Sequence, residues 1–235
     1  MLAARALRLS LTAALPLLVA GCPAPAGQPH EVAGALARLD PAVRRVAGLE
    51  PEGPLLVRSE WYLGASMPLA LVRQLHGWEV EDGAPCARFG VVVATKEREG
   101  DVTTEWLRPA GDRLLCATRA LRGQRVTLAP PQPLLVAPLE AGQTWRWEGT
   151  VDGAPASVDF EVLRAGEEEV EGERVHAVVV SHTIRAAGLE VSRAQTWAAG
   201  RGLVREEGAL PGPEAGEALE PFKVLRWVDG PTSGD

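Results

Sequence analysis

Cysteine is almost absent from this chain of 235 residues: three in all, at 22, 86 and 116. With no Cys-x-x-Cys pair and no His-Glu-x-x-His spacing, the common zinc sites are excluded. Histidine is scarce too, at positions 30, 76, 176 and 182. His176 and His182 share a strand face but lie six residues apart, about 20 Å along an extended chain, too far to ligate one metal ion. No Gly-x-Ser-x-Gly elbow or phosphate-cradling loop occurs, and "LGASMP" around Ser66 lacks the second glycine. Ser181 and His182 are consecutive strand residues pointing to opposite faces, so they form no dyad. The expectation is a protein that is not an enzyme and carries no cofactor or metal.

Positive charge is the minority sign. The formal net charge is −7, or −9 once Arg5 and Arg8 are removed, which argues against nucleic acid as a partner and against an anionic membrane surface. Long apolar runs are lacking as well. The stretch from Leu9 to Ala20 is 12 residues, whereas a helix needs about 20 to span a bilayer. Preceded by Arg5 and Arg8 and followed by Ala20 and Gly21, it has the order of a secretory signal. The acidic run "GEEEVEGE" at 166–173 lacks the Asp-rich spacing and central glycine of a calcium loop and reads as a solvated hairpin loop.

"LVAGC" at 18–22 resembles the lipobox of bacterial lipoproteins, in which the cysteine receives a diacylglyceryl group and becomes the mature N-terminus. The resemblance implies that residues 1–21 are a signal peptide and that Cys22 is the lipidated anchor. Because one acyl chain binds only marginally, a multi-chain anchor makes attachment stable. Residues 22–30, with prolines at 23, 25 and 29, then form an extended tether. Pro23 after the cysteine resembles the outer-membrane default, which places the expected anchor on the periplasmic face of that membrane rather than at the cell surface.

Residues 31–53 carry Val32, Ala35, Leu36, Leu39, Val43 and Val46 at helical spacing with Pro41 interrupting, a short helical or linker segment. Beyond Gly53 the pattern becomes short β-like runs broken by Gly, Pro and Asp, at 55–63, 69–80, 87–95, 102–107, 114–120, 125–128, 175–186, 189–198, 203–207 and 220–228. "ASVDFEVLR" alternates strictly, and Asp152-Gly153 between it and "QTWRWEGTV" signals a hairpin. Short connections predict antiparallel neighbours. The expected class is mainly β: a large curved antiparallel sheet or incomplete barrel. A weak echo ("SEWYL" then "VVVAT"; "TWRWE" then "VVVSH") suggests two similar halves at 54–129 and 143–229, joined by a Pro-rich segment at 130–142, with 230–235 as a tail.

Cys86 and Cys116 are the candidate disulfide, with two buried free thiols as the alternative. In a meander their strands are the first and third, about 9 to 10 Å apart, beyond the usual reach of about 7 Å between disulfide Cα atoms. Seven tryptophans accompany one tyrosine and three phenylalanines. Trp145, Trp147 and Trp197 are the candidate ligand-binding residues, with core filling as the competing role.

The order "PLLVAPLEAGQTWRWEG", "EVLRAGEEEVEGERVHAVVV", "TWAAGRGLV" resembles uncharacterised bacterial periplasmic and lipoprotein domains. Their outline is similar to the LolA/LolB lipoprotein carriers, whose curved sheet encloses a hydrophobic hollow. The resemblance implies a partner that is a hydrophobic small molecule or lipid, the membrane being engaged through the N-terminal lipid. An envelope protein held as a scaffold or assembly partner is the alternative.

Overall fold

In a computed structural model, residues 29–49, 56–63, 67–93, 101–121, 123–170, 172–186, 188–210 and 220–224 are described. The signal peptide, Cys22 and most of the tether lie outside them.

Two helices open the fold, α1 (Pro29–Arg38) and α2 (Pro41–Val46). The expected interruption at Pro41 is the boundary between them. Asp40 caps α2, its carboxylate accepting from the amides of Ala42 (2.9 Å) and Val43 (3.3 Å), and Pro41 occupies the first helical position, where no amide donor is needed.

Twelve strands follow: β1 (Leu56–Leu63), β2 (Met67–Glu81), β3 (Ala84–Val93), β4 (Asp101–Ala110), β5 (Arg113–Leu121), β6 (Gln124–Val136), β7 (Thr144–Val151), β8 (Ala154–Val170), β9 (Glu173–Ala186), β10 (Leu189–Ala198), β11 (Gly202–Leu210) and β12 (Glu220–Val224). Every strand pairs antiparallel with its chain neighbours, as the short connections require, and β1 pairs with β12 from Trp61 opposite Val224 to Leu63 opposite Phe222. The order of neighbours therefore closes on itself, a point the sequence pattern had left open between a curved sheet and a barrel. Asp152 and Gly153, at φ 49° and 79°, form the β7–β8 turn, the left-handed pair that makes Asp-Gly a hairpin signal.

The helices fill one end of the interior. Leu39, Val43, Val46, Ala47 and Leu49 pack with Phe89, Leu107, Leu114, Leu135, Trp147, Phe160, Val162, Val178, Val180 and Trp197 in one core. That core draws on strands before and after residue 130, so the two expected halves share a single interior. The plug is pinned from opposite sides. Asp40 donates its amide to the Gly111 carbonyl in the β4–β5 turn (2.8 Å), and Gly200 in the β10–β11 turn donates to Arg45 (2.8 Å). A Cβ on Gly202 would lie 3.0 Å from the Ala47 carbonyl oxygen, on a backbone already at φ 73°, so only glycine lets α2 approach this closely.

Two expectations need correction. The Pro-rich segment 130–142 is not a linker throughout, because β6 runs to Val136, with Leu135 opposite Leu114 and Val136 opposite Arg113 on β5. Pairing on the β5 side tolerates the prolines and holds the chain extended. The acidic run at 166–173 is not chiefly loop either: Glu167, Glu168 and Glu169 belong to β8, opposite His176, Val175 and Arg174. These carboxylates stay in contact with solvent at the strand end.

Candidate functional site

Between β6 and β7 the ladder is confined to Leu128 opposite Val151 and Ala129 opposite Thr150. Beyond it, prolines at 130, 131 and 133 offer no amide donors, and side chains of alternate residues entering β7 take over. Trp147 Nε1 donates to the Pro130 carbonyl (2.9 Å), Trp145 Nε1 to the Pro133 carbonyl (3.1 Å), and Gln143 Nε2 to the carbonyls of Val136 and Ala137 (3.0 Å each). Gly149 completes the set: a Cβ there would lie 2.5 Å from the Ala129 carbonyl oxygen and 2.7 Å from the Trp147 ring. Trp145 also stacks on Phe160 across β7–β8, with ring centroids 5.1 Å apart and planes at 7°. Trp147 and Trp197 are 3% and 1% exposed. Of the three candidate ligand-binding tryptophans, these two are built into the core and Trp145 into the seam beside it.

Above the helix plug the interior changes character. Register and alternation turn Arg73 of β2, Glu105 of β4, Arg119 of β5, His182 of β9, Arg193 of β10 and Glu206 of β11 inward. Glu105 lies opposite Phe89 and Arg119, His182 opposite Phe160 and Arg193, and Glu206 opposite Gln195. Glu105 pairs with Arg119 at 3.1 Å and with Arg73 at 3.7 Å, and the Arg73 guanidinium lies 4.0 Å over the Phe89 ring. Glu206 accepts from Arg193 (3.1 Å) and from Gln195 (2.9 Å). The layer includes the guanidiniums of Arg73, Arg119 and Arg193 and the carboxylates of Glu105 and Glu206.

The layer adjoins the helix-filled core. Arg73, His182 and Glu206 are buried. The inward-facing Arg119 and Arg193 nevertheless keep 31% of their side chains accessible, and Glu105 keeps 20%. With the helices filling one end, these groups form the charged floor of the other half of the barrel, the basin.

Burial pulls the pKa of the Arg73 guanidinium below its ordinary value, with Glu105 opposing. Burial, reinforced by Arg119 and Arg193, lowers that of His182 to about 3, so the imidazole is neutral. Its ring packs at 5.6 Å against Phe160, and its Nε2 is buried without a hydrogen-bond partner.

Cys86 and Cys116 do not form the candidate disulfide; both are free and buried. Cys116 sits in the interior core beside Leu107 and Leu114. Cys86 belongs to a cluster on the other face of the sheet, with Trp106, Ala117 and Ala120. A strand lies between them and they point to opposite faces, a separation that spacing along the chain conceals. Burial raises both thiols to about 12.

His30 lies in α1, exposed, and His76 and His176 are exposed on the sheet. Ser181 and His182 diverge as strand neighbours do. Among the described residues no three of His, Cys, Asp or Glu gather as metal ligands. On the outer surface, Trp106 donates Nε1 to Glu79 (2.8 Å), which also pairs with Arg88 (3.1 Å), and Arg125 lies 4.7 Å over the indole. Farther round, a ladder of Glu148, Arg146, Asp159, Arg185 and Glu190 borders an open groove of about 590 Å³ that includes Pro155 and Leu189.

Tryptophan was the visible signal in the sequence, and the inward charges were the overlooked one. In "LEVSRAQTW" the alternation that turns Val191 and Trp197 inward also turns Arg193 and Gln195 inward. His182 follows the same rule from Val178 and Val180.

The fold and basin together define a helix-plugged antiparallel β barrel with an ionic inner floor. No family model and no curated protein matches the sequence. Among solved structures, the chain is similar to a candidate exported protein with a YmcC-like fold from Bacteroides fragilis, at 11% identity and TM-score 0.44, covering 75% of this chain and 95% of that one. It is similar also to the hypothetical lipoprotein YmcC of Escherichia coli, at 13% identity and TM-score 0.37, covering 86% of this chain and 96% of that one. A candidate lipoprotein from Parabacteroides distasonis matches at 9% identity and TM-score 0.34, covering 75% and 95%.

Proposed function

We propose that this chain is a lipid-anchored envelope protein of non-catalytic role that holds a hydrophobic ligand or lipid in the open half of its barrel. The observation that carries the reading is the accessibility of Arg119 and Arg193 from within: inward-facing side chains that water still reaches require a concavity. Val191 of β10 and Ile184 of β9, opposite one another, supply apolar wall beside that floor. Attachment through Cys22 to the periplasmic face of the outer membrane confines the basin to a source of lipid.

The test is to recover the full chain from membranes, exchange it into a neutral detergent and extract it for lipid mass spectrometry. A stoichiometric lipid beyond the N-terminal acyl groups is expected. Protein that retains no lipid and takes up no hydrophobic dye overturns the reading. Cys22→Ser is expected to move the protein from the membrane to the soluble fraction.

A second reading, a scaffold for another envelope protein, draws on the outer groove of about 590 Å³ and on Leu189 at its edge, 57% exposed. One stoichiometric protein adduct on crosslinking intact cells, with no bound lipid, would favour it.

A further inference from the structure

We infer that the floor of the basin is an anion-binding site, where Arg119, Arg193 and the Nε2 of His182 receive the carboxylate or phosphate head of a bound ligand. This rests on the ligand-holding reading of the same basin and specifies what it recognises.

Convergence of positive charge is the first support. Arg73 and Arg119 share the carboxylate of Glu105, and Arg193 lies directly opposite His182 on the neighbouring strand. Accessibility is the second. Arg73 lies sealed against Phe89 and serves the fold, whereas Arg119 and Arg193 remain about one-third accessible from the basin and can still take a ligand.

The third support is His182. Its ring is 7% exposed, between two cations, and its Nε2 lacks any partner. A buried polar nitrogen left unsatisfied calls for an explanation. Carrying the proton of the neutral ring, Nε2 donates to an anion bridging Arg119 and Arg193. Because that anion offsets the guanidiniums that disfavour imidazolium, binding also makes His182 easier to protonate. The charged groups acting on it are Arg119 from β5 and Arg193 from β10, with Arg73 and the carboxylates Glu105 and Glu206 in the same layer.

Binding of octanoate, octanol, acetate and inorganic phosphate to the full chain in a neutral detergent tests the site, with the histidine ring signals followed by NMR. Octanoate is expected to bind at least about tenfold more tightly than octanol, and to raise the His182 pKa by about one unit or more. Glu105→Gln, which frees Arg73 and Arg119 from their carboxylate, is expected to tighten octanoate about tenfold relative to octanol. Such a gain cannot arise from damage to the fold. Arg193→Gln is expected to weaken octanoate by a similar factor, and Arg119→Lys to retain part of the affinity.

Acetate and phosphate equalling octanoate would keep the anion site and remove the hydrophobic-ligand reading. Octanoate and octanol binding alike, with Glu105→Gln without effect, would overturn the anion site and leave the hydrophobic-ligand reading standing. Failure of octanoate, acetate and phosphate to bind at millimolar concentration would overturn the anion site as well, with the lipid extraction judging the other reading separately.

Discussion

The indole Nε1 of Trp147 donates to the carbonyl oxygen of Pro130 at 2.9 Å, across the one stretch of the β6–β7 seam where the backbone ladder has stopped. Proline removes donors from a strand but leaves its acceptors, and an acceptor facing the core must find a partner. The tryptophans of β7 meet that need with their indole N–H groups.

Trp147→Phe keeps most of the buried ring but strands the Pro130 carbonyl. We expect it to cost about 1 to 3 kcal/mol, read as a lowered midpoint of chemical denaturation. Gly149→Ala should destabilise by a similar amount for the opposite reason, overpacking, because its Cβ would meet the Ala129 oxygen at 2.5 Å. A surface change such as Glu148→Gln serves as the control and should fall within about 0.5 kcal/mol.

Asp40→Ala removes the cap of α2 and should cost about 1 kcal/mol. Its effect is expected to be local. Hydrogen exchange should quicken at the Ala42 and Val43 amides, and at Gly200, whose amide depends on the Arg45 carbonyl. Unchanged exchange at Gly200 would mean that the helix is not what holds the β10–β11 turn against the plug.

With both thiols raised to about 12, Cys86 and Cys116 should resist iodoacetamide at pH 8 in the folded chain, where only about one in ten thousand is ionised. Both should react after denaturation without any reductant. Intact mass that shows a Cys86–Cys116 bridge in the native protein would contradict their placement on opposite faces.

His182 makes stability depend on acid. Its pKa is about 3 in the folded protein against an ordinary 6.5, so between those values the unfolded chain binds a proton the folded chain refuses. Stability should therefore be unaffected by this group above pH 6.5 and fall as pH drops from about 6.5 towards 3. His182→Gln should flatten that part of the curve, as measured by denaturation midpoints from pH 7 to pH 4. A saturating anion in the basin should flatten it too, by returning the histidine towards its ordinary value.

Much of the barrel was legible along the chain. Alternation in "ASVDFEVLR" placed Val158, Phe160 and Val162 inward, the Asp152-Gly153 pair marked a hairpin, and Pro41 marked the helix boundary. These signals are local: each rests on a period or on a backbone angle that a few residues settle by themselves. The extents of β6 and β8 were not legible, because prolines and clustered glutamates lower strand propensity while pairing with β5 and β9 overrides it.

Sequence alone determined the alternating faces, the turns and the capped helix pair, since all follow from interactions within a few residues. Tertiary structure decided everything that depends on which strands become neighbours around the ring. It set Cys86 and Cys116 on opposite faces, made Trp145 and Trp147 the donors of a proline-broken seam, and gathered Arg73, Arg119, His182 and Arg193 from four strands onto one floor. Their separation along the chain gives no hint of that meeting, because closure of the sheet, rather than any local preference, turns these faces toward a common interior.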